Sequence, residues 1–318
     1  MILRIGFKNS LLKAQAPAPV HHEMAYSGGT MSSRKLLKSL VALGAVLWGV
    51  VALAGIAAAD DAAVHYNMGL QLKRQGKNPE AITEMDKALK LRPDYAAAHF
   101  TLGNLWRAQG NYARAAASLE QAVRHQPKDA AARANLGAVY VRLKRVDDGI
   151  KELEKAVALE PDDYEALVSL GFAYRHKGDH ARAIDRLKKA TEVKPDDPMA
   201  WSNLGVTRSQ TDDKDGAIVA LKKAIELKPG DGQSHFNLAV VYRRLRQADE
   251  AIKEYEIAIS YEPKLAGAHY DLGTLYSQQK RHGEALEAFK KYLALSTDPK
   301  DRKDAEERIK TLEAAVKK

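Results

Sequence analysis

Along most of the chain, apolar and small residues recur at i, i+3, i+4 and i+7. Leu167, Leu170, Gly171 and Tyr174 form one such set, the spacing of a stripe on one helix face. Ala183, Ile184, Leu187 and Ala190 form a second stripe shortly afterwards, so the pattern predicts helices in pairs and no strands. Turn signals separate the stripes. In Gly76-Lys77-Asn78-Pro79, Asn78 is placed to cap the second helix and Pro79 to take its first position.

The pairs recur every 34 residues. Pro93, Pro127, Pro161, Pro195, Pro229 and Pro263 stand on this lattice without slippage. Aligned with them run Met68, Leu102, Leu136, Leu170, Leu204, Leu238 and Leu272, then Gly69, Gly103, Gly137, Gly171, Gly205, Ala239 and Gly273. Two further columns are almost all alanine, Ala81 to Ala285 and Ala88 to Ala258. Asp94, Asp162 and Asp196, directly after lattice prolines, are placed to cap the next first helix. The pattern resembles the tetratricopeptide repeat family, whose 34-residue helix–turn–helix carries small residues where its helices touch. The resemblance covers residues 60–297 and implies an all-α, right-handed superhelical solenoid. Seven repeats are expected, at 60–93, 94–127, 128–161, 162–195, 196–229, 230–263 and 264–297. One helix pair cannot bury both of its apolar faces, whereas seven stacked pairs can. Residues 298–318 leave the lattice; Ala305, Ile309, Leu312 and Val316 form one stripe among charges, the pattern of a C-terminal capping helix.

The first sixty residues follow another logic. Ser33-Arg34-Lys35-Leu36-Leu37-Lys38 is basic, residues 40–59 carry no charge, and the run closes Ala57-Ala58-Ala59 before Asp60-Asp61. This is the layout of a secretory signal peptide over 31–59, cleaved after Ala59. The apolar run is also long enough to span a bilayer, so a retained inner-membrane anchor through 40–59 is the alternative. Either way the basic flank holds the N-terminus inside and places the rest in the periplasm or cell envelope. Residues 1–30 fit neither reading; Met31, close before Arg34, is expected to be the true start and 1–30 a mis-annotated extension.

Charge and composition narrow the function. The 318 residues carry 50 Lys+Arg against 41 Asp+Glu, a net +9. Residues 1–59 hold six of the bases and one acid, leaving 44 against 40 for the repeats. Over half of the basic excess thus lies in the pre-sequence, and concave aromatics are few, so no nucleic-acid partner is expected. Cysteine is absent, which excludes disulfides, thiolate metal sites and cysteine nucleophiles. No phosphate loop, H-E-x-x-H or nucleophile elbow occurs; neither an enzyme, a cofactor nor a metal site is expected. His65, His99, His235 and His269 share one repeat position, too far apart to share an ion, and are read as half-buried packing residues.

The inner face of the first helices carries the binding signals. One column there reads Tyr66, Phe100, Ala134, Val168, Ser202, Phe236 and Tyr270; beside it run Asn67, Thr101, Asn135, Ser169, Asn203, Asn237 and Asp271. Tyr66, Phe100, Phe236 and Tyr270 are candidate apolar anchors. Asn67, Asn135, Asn203 and Asn237, with Asn104, are candidate contacts to a peptide backbone, since an amide both donates and accepts. The row resembles the asparagine ladder in the repeats of O-linked N-acetylglucosamine transferases, interrupted at Thr101, Ser169 and Asp271. Nothing of their transferase domain is present, so that activity is not implied. The competing reading is that the amides satisfy neighbouring helix backbone. The two-carboxylate clamp of chaperone-binding relatives is missing: its lysine column is the aromatic one, and its third-helix column reads Ala63, Ala97, Ala131, Glu165, Met199, Gln233 and Gly267.

Lys73, Arg74, Arg107, Arg142, Arg175, Arg243 and Arg244 cluster at first-helix ends. Helix dipoles alone favour cations there; a basic rim selecting an acidic or phosphate-bearing partner is the sharper reading. The expectation is a non-catalytic scaffold that holds an extended protein or peptide in its groove. A membrane-anchored assembly factor for a secretion, pilus or cytochrome-maturation complex is the alternative.

Overall fold

The computed structural model is divided into two units after Ile56, the second being Ala57–Lys318. Residues 61–297 and 299–316 are described. The expected extension 1–30, start at Met31, signal segment 31–59 and apolar run 40–59 lie outside them.

The second unit is a succession of helices: α1 (61–74), α2 (Asn78–Leu91), α3 (Ala96–Ala108), α4 (Tyr112–His125), α5 (Ala130–Arg142), α6 (Val146–Leu159), α7 (Tyr164–Lys177), α8 (His180–Val193), α9 (Pro198–Ser209), α10 (Lys214–Leu227), α11 (Gly232–Arg244), α12 (Ala248–Tyr261), α13 (Ala266–Gln278), α14 (His282–Leu295) and α15 (Pro299–Val316). No strand occurs among the described residues. Each helix packs on the next, and successive first helices of the pairs also touch, as α5 touches α7 and α7 touches α9.

The small-residue columns make this closeness possible. Ala81, Ala88, Ala115, Ala122, Ala183 and Ala190 are buried without residual exposure beyond one per cent. A Cβ on Gly171 would lie 2.6 Å from Leu187 Cγ, inside van der Waals contact, so only glycine lets α7 and α8 meet there. Column 239 holds alanine instead, and its helix α11 faces Tyr255 on α12 within one core cluster.

Turn chemistry is likewise periodic, but it differs in detail from the sequence reading. Asn78 is not the cap of α2: Lys77 is, without a side-chain hydrogen bond, and Asn78-Pro79 open the helix. Asp94, Asp162 and Asp196 do not cap either. The capping side chains are one residue further on, Asp129, Asp163, Asp197 and Asp231, each accepting from a backbone N–H of the first helical turn. The residue after each lattice proline is still in the turn that closes the preceding helix, so the cap falls one position later. Between the two helices of a pair the chain turns through the left-handed region, at Gly76, Gly110 and Gly178 but also at Lys144, Arg246 and Lys280, with φ of 65°, 60° and 59° for the last three.

The histidine position proves to be more than packing. His99 Nε2 lies 2.9 Å from the carbonyl of Pro93, His235 Nε2 3.1 Å from that of Pro229, and His269 Nε2 3.0 Å from that of Pro263. Arg133 Nε and Trp201 Nε1 donate in the same way to Pro127 and Pro195, at 2.8 and 2.9 Å. A carbonyl only accepts, so this position requires an N–H donor six residues beyond the proline. His65 and His235 also place Nδ1 2.6 Å from Glu84 and Glu254 on the second helix, and Arg133 pairs with Glu152 there.

Tyrosines tie three of the repeats to the one before. Tyr140 donates to Glu120 at 2.8 Å and Tyr276 to Glu256 at 2.5 Å; Tyr174 bonds Glu154. Burial and then Glu120 push the Tyr140 phenol up to about 12. At the C-terminal end α15 packs on α14, burying Ala305 and Leu312 with Ile309 half-buried. At the other end Val64 and Met68 are 60% and 49% exposed, although their equivalents in later repeats are buried; no described helix covers the outer side of α1.

Candidate functional site

The best-formed concavity lies on the first-helix face in the middle of the repeat array. It encloses about 560 Å³. Its apolar floor is Ala138, Val139 and Val141 from α5, Val168 and Phe172 from α7, and Met199 from α9; Ser169, Asn203, Arg107 and Arg142 supply polar edges. Met199 remains 49% exposed, an apolar side chain at the mouth of the cavity.

The groove residues expected from the sequence divide into two groups. Asn203 lines this cavity, although its Nδ2 donates to the carbonyl of Met199 one turn earlier, at 3.0 Å. Asn237 Oδ1 accepts from Gln233 at 3.2 Å. Asn135 is half-buried and Asn67 exposed, both outside the cavity lining. Asn104 is half-buried, and its Oδ1 has no hydrogen-bond partner among the described residues. Two of the three interruptions of the row are internal, Thr101 being buried and Asp271 accepting from the Tyr255 hydroxyl at 2.6 Å, whereas Ser169 lines the cavity.

The four aromatic candidates are half-buried with their rings engaged by the fold. Tyr66 meets Tyr95 at 4.9 Å between centroids, and Phe236 meets Tyr255 at 5.6 Å. Phe100 packs on the Leu119–Leu136 cluster. Tyr270 contacts Phe289 and Tyr292, and its hydroxyl donates to Asp304 of α15 at 2.6 Å. Burial and this bond raise its pKa. Val168, the aliphatic member of that column, is the one that lines the cavity.

Phe172 escaped the sequence reading. It stands four residues beyond Val168 on α7, hence on the same face, and that spacing was the available signal. Its column contains Asn104, Ala138, Val206 and Val240, too varied in type to stand out as a pattern.

The basic rim is heterogeneous. Arg243 approaches Tyr255 Oη at 3.3 Å and Asp271 at 3.5 Å, and Arg244 donates to the Ser209 carbonyl at 2.7 Å. Lys73 and Arg74 lie exposed in the last turn of α1. Arg107 and Arg142 line the cavity, while the Arg175 guanidinium lies 5.2 Å from the Phe172 ring centroid. Burial alone lowers the Arg175 pKa. The ring of His176 lies 4.3 Å from that of Phe172; burial, then Arg175, Lys144 and Arg142, hold it below the ordinary histidine value. His176 and His180 flank Gly178, which has φ 83°, and so belong to different helices. Among the described residues no three His, Asp or Glu side chains group as metal ligands, and no helix is long and apolar enough to cross a membrane.

The arrangement offers shape, apolar area and positive charge.

Known structures share the architecture. A tetratricopeptide repeat protein from Parabacteroides merdae matches with a TM-score of 0.63 at 18% identity, covering 80% of this chain and 99% of the other. MamA from Desulfovibrio magneticus matches at 0.51 and 24% identity, covering 54% and 96%. Another MamA structure is 30% identical over 50% of this chain and 94% of its own, with a TM-score of 0.47. No curated protein matches the chain. Sequence profiles of the tetratricopeptide repeat match residues 66–117, 102–164 and 236–301, and related profiles match 146–204 and 200–231. With those matches running through the paired helices, the chain belongs to the tetratricopeptide repeat family.

Proposed function

We propose that this protein is a non-catalytic scaffold that holds an extended segment of a protein partner on its first-helix face, in the cell envelope. Proteins of this family generally bind protein or peptide partners. The observation that carries the reading is the cavity formed by α3, α5, α7 and α9, whose partly open apolar lining of Ala138, Phe172 and Met199 is covered by no described helix on its open side. Apolar area kept open in a groove contributes to stability only when something covers it, at roughly 25 cal/mol per Å².

Export rests on the basic stretch 34–38, the uncharged run 40–59 and the Ala57-Ala58-Ala59 close. The twenty-residue length of that run supports the second reading, an anchored assembly factor for a secretion, pilus or cytochrome-maturation complex. N-terminal sequencing of the protein from its native cell separates the two: a chain starting at Asp60 fits the exported scaffold, and one retaining 40–59 fits the anchored factor.

The groove itself is tested by Phe172→Glu with Met199→Glu, both partly open to the cavity. The double variant should keep its helical circular dichroism and lose the partner that copurifies with the natural chain. Retention of that partner at full yield contradicts the proposed site.

A further inference from the structure

The cations at the groove edge are not equivalent. Arg243 and Arg244 are engaged inside the fold, by Asp271 with Tyr255 and by the Ser209 carbonyl. Other arginines of the array are paired too, such as Arg133 with Glu152 and Arg182 with Asp179. Arg107, Arg142 and Arg175 form no ion pair among the described residues; Arg107 and Arg142 line the cavity, and Arg175 stands beside it, its guanidinium 5.2 Å from the ring centroid of the lining residue Phe172.

Arg175 is the most constrained of them. It is half-buried, and its Nε is enclosed without a hydrogen-bond partner among the described residues. A cation drawn partly out of water with no counter-charge is unfavourable; an anion supplied from outside would reverse that. Its neighbour His176 senses the same field, and the charges acting on it from Arg175, Lys144 and Arg142 are all positive. Between these cations the floor is aliphatic and aromatic, at Val139, Val141, Val168 and Phe172.

The spacing of the cations defines the ligand further. They stand on three successive first helices, which pack about 8–10 Å apart. An extended chain advances about 3.3 Å per residue, so carboxylates roughly three residues apart would face neighbouring arginines.

We propose that this part of the groove reads a two-part signal in the partner: one aliphatic side chain seated in the cavity, flanked by carboxylates about three residues apart that meet Arg107, Arg142 and Arg175. The inference rests on the groove reading above and narrows the partner to an acidic, extended segment.

The test uses the full chain and a fluorescent nonapeptide carrying two glutamates three residues apart with a leucine between them. Two further peptides replace the glutamates by lysine or the leucine by serine. Anisotropy titration should show binding of the first peptide that weakens with salt, and at least a tenfold loss for either replacement. Arg142→Gln with Arg175→Gln should also weaken it at least tenfold, whereas Arg124→Gln, on the exposed end of α4, should leave it unchanged. No binding of the first peptide, equal binding of the lysine peptide, or indifference to the double substitution overturns the proposal. If the lysine peptide binds equally and Phe172→Glu with Met199→Glu abolishes it, the groove stands and the two-part signal falls. If Phe172→Glu with Met199→Glu alters neither peptide nor partner binding, the groove reading falls with it.

Discussion

His235 places Nδ1 2.6 Å from Oε2 of Glu254, while its other ring nitrogen reaches the Pro229 carbonyl. One side chain thus ties a first helix to its own second helix and to the turn before it. Replacing it by phenylalanine keeps the bulk and leaves two partly buried acceptors without their donor. A loss of about 1–3 kcal/mol is expected, measured by urea unfolding; an unchanged midpoint would show that bulk alone matters at this position.

Gly171 gives a second stability test. Alanine there gains about 1 kcal/mol of helix propensity but sets a methyl 2.6 Å from Leu187 Cγ. Overpacking costs about 1–3 kcal/mol, and the methyl meets a buried branch point rather than a flexible end. Gly171→Ala should therefore lower Tm, and an increase would show that α7 and α8 part without cost.

Arg246 and Lys280 hold φ near 60°, where a side chain costs roughly 1–2 kcal/mol. Glycine removes that strain while adding about 0.5–1 kcal/mol of unfolded-state entropy. Each substitution should raise stability by up to about 1 kcal/mol, and the two should add because they lie in different repeats.

Acid should weaken the fold through histidine before carboxylates titrate. His99 is lowered from 6.5 mainly by burial, and His176 by burial and cationic neighbours. Below 6.5 the unfolded chain binds more protons than the folded one, so stability is full above that pH and declines as pH falls through it. Thermal unfolding from pH 7.5 to 5 should show this decline. It should be shallower in His99→Gln, and an equal slope would remove His99 as a cause.

The 34-residue lattice made the helix pairs readable, because each pair buries the same columns of alanine, leucine and glycine. The caps slipped by one residue because Asp162-Asp163 and Asp196-Asp197 offer two candidates each, and only backbone geometry chooses between them. The histidine column was visible but its purpose was not. A ring bonded to a carbonyl six residues back is a property of the turn, and no hydrophobic pattern encodes it. The site was legible only in part. Asn203, Arg107 and Arg142 fall on the cavity, while Tyr66, Phe100, Phe236 and Tyr270 are drawn into core contacts. Phe172 and Met199 form the floor and mouth through their place on α7 and α9, and neither stands in a uniform column.

The central claim is that the first-helix face captures a protein partner, and photocrosslinking in the native cell tests it most directly. A benzophenone amino acid in place of Phe172 samples the cavity; the same residue in place of Val219, 64% exposed on α10, samples a second helix. Capture of one defined partner from Phe172 but not from Val219, through an acidic segment of that partner, is the predicted result. Equal capture from both positions, or capture from Val219 alone, would contradict the account.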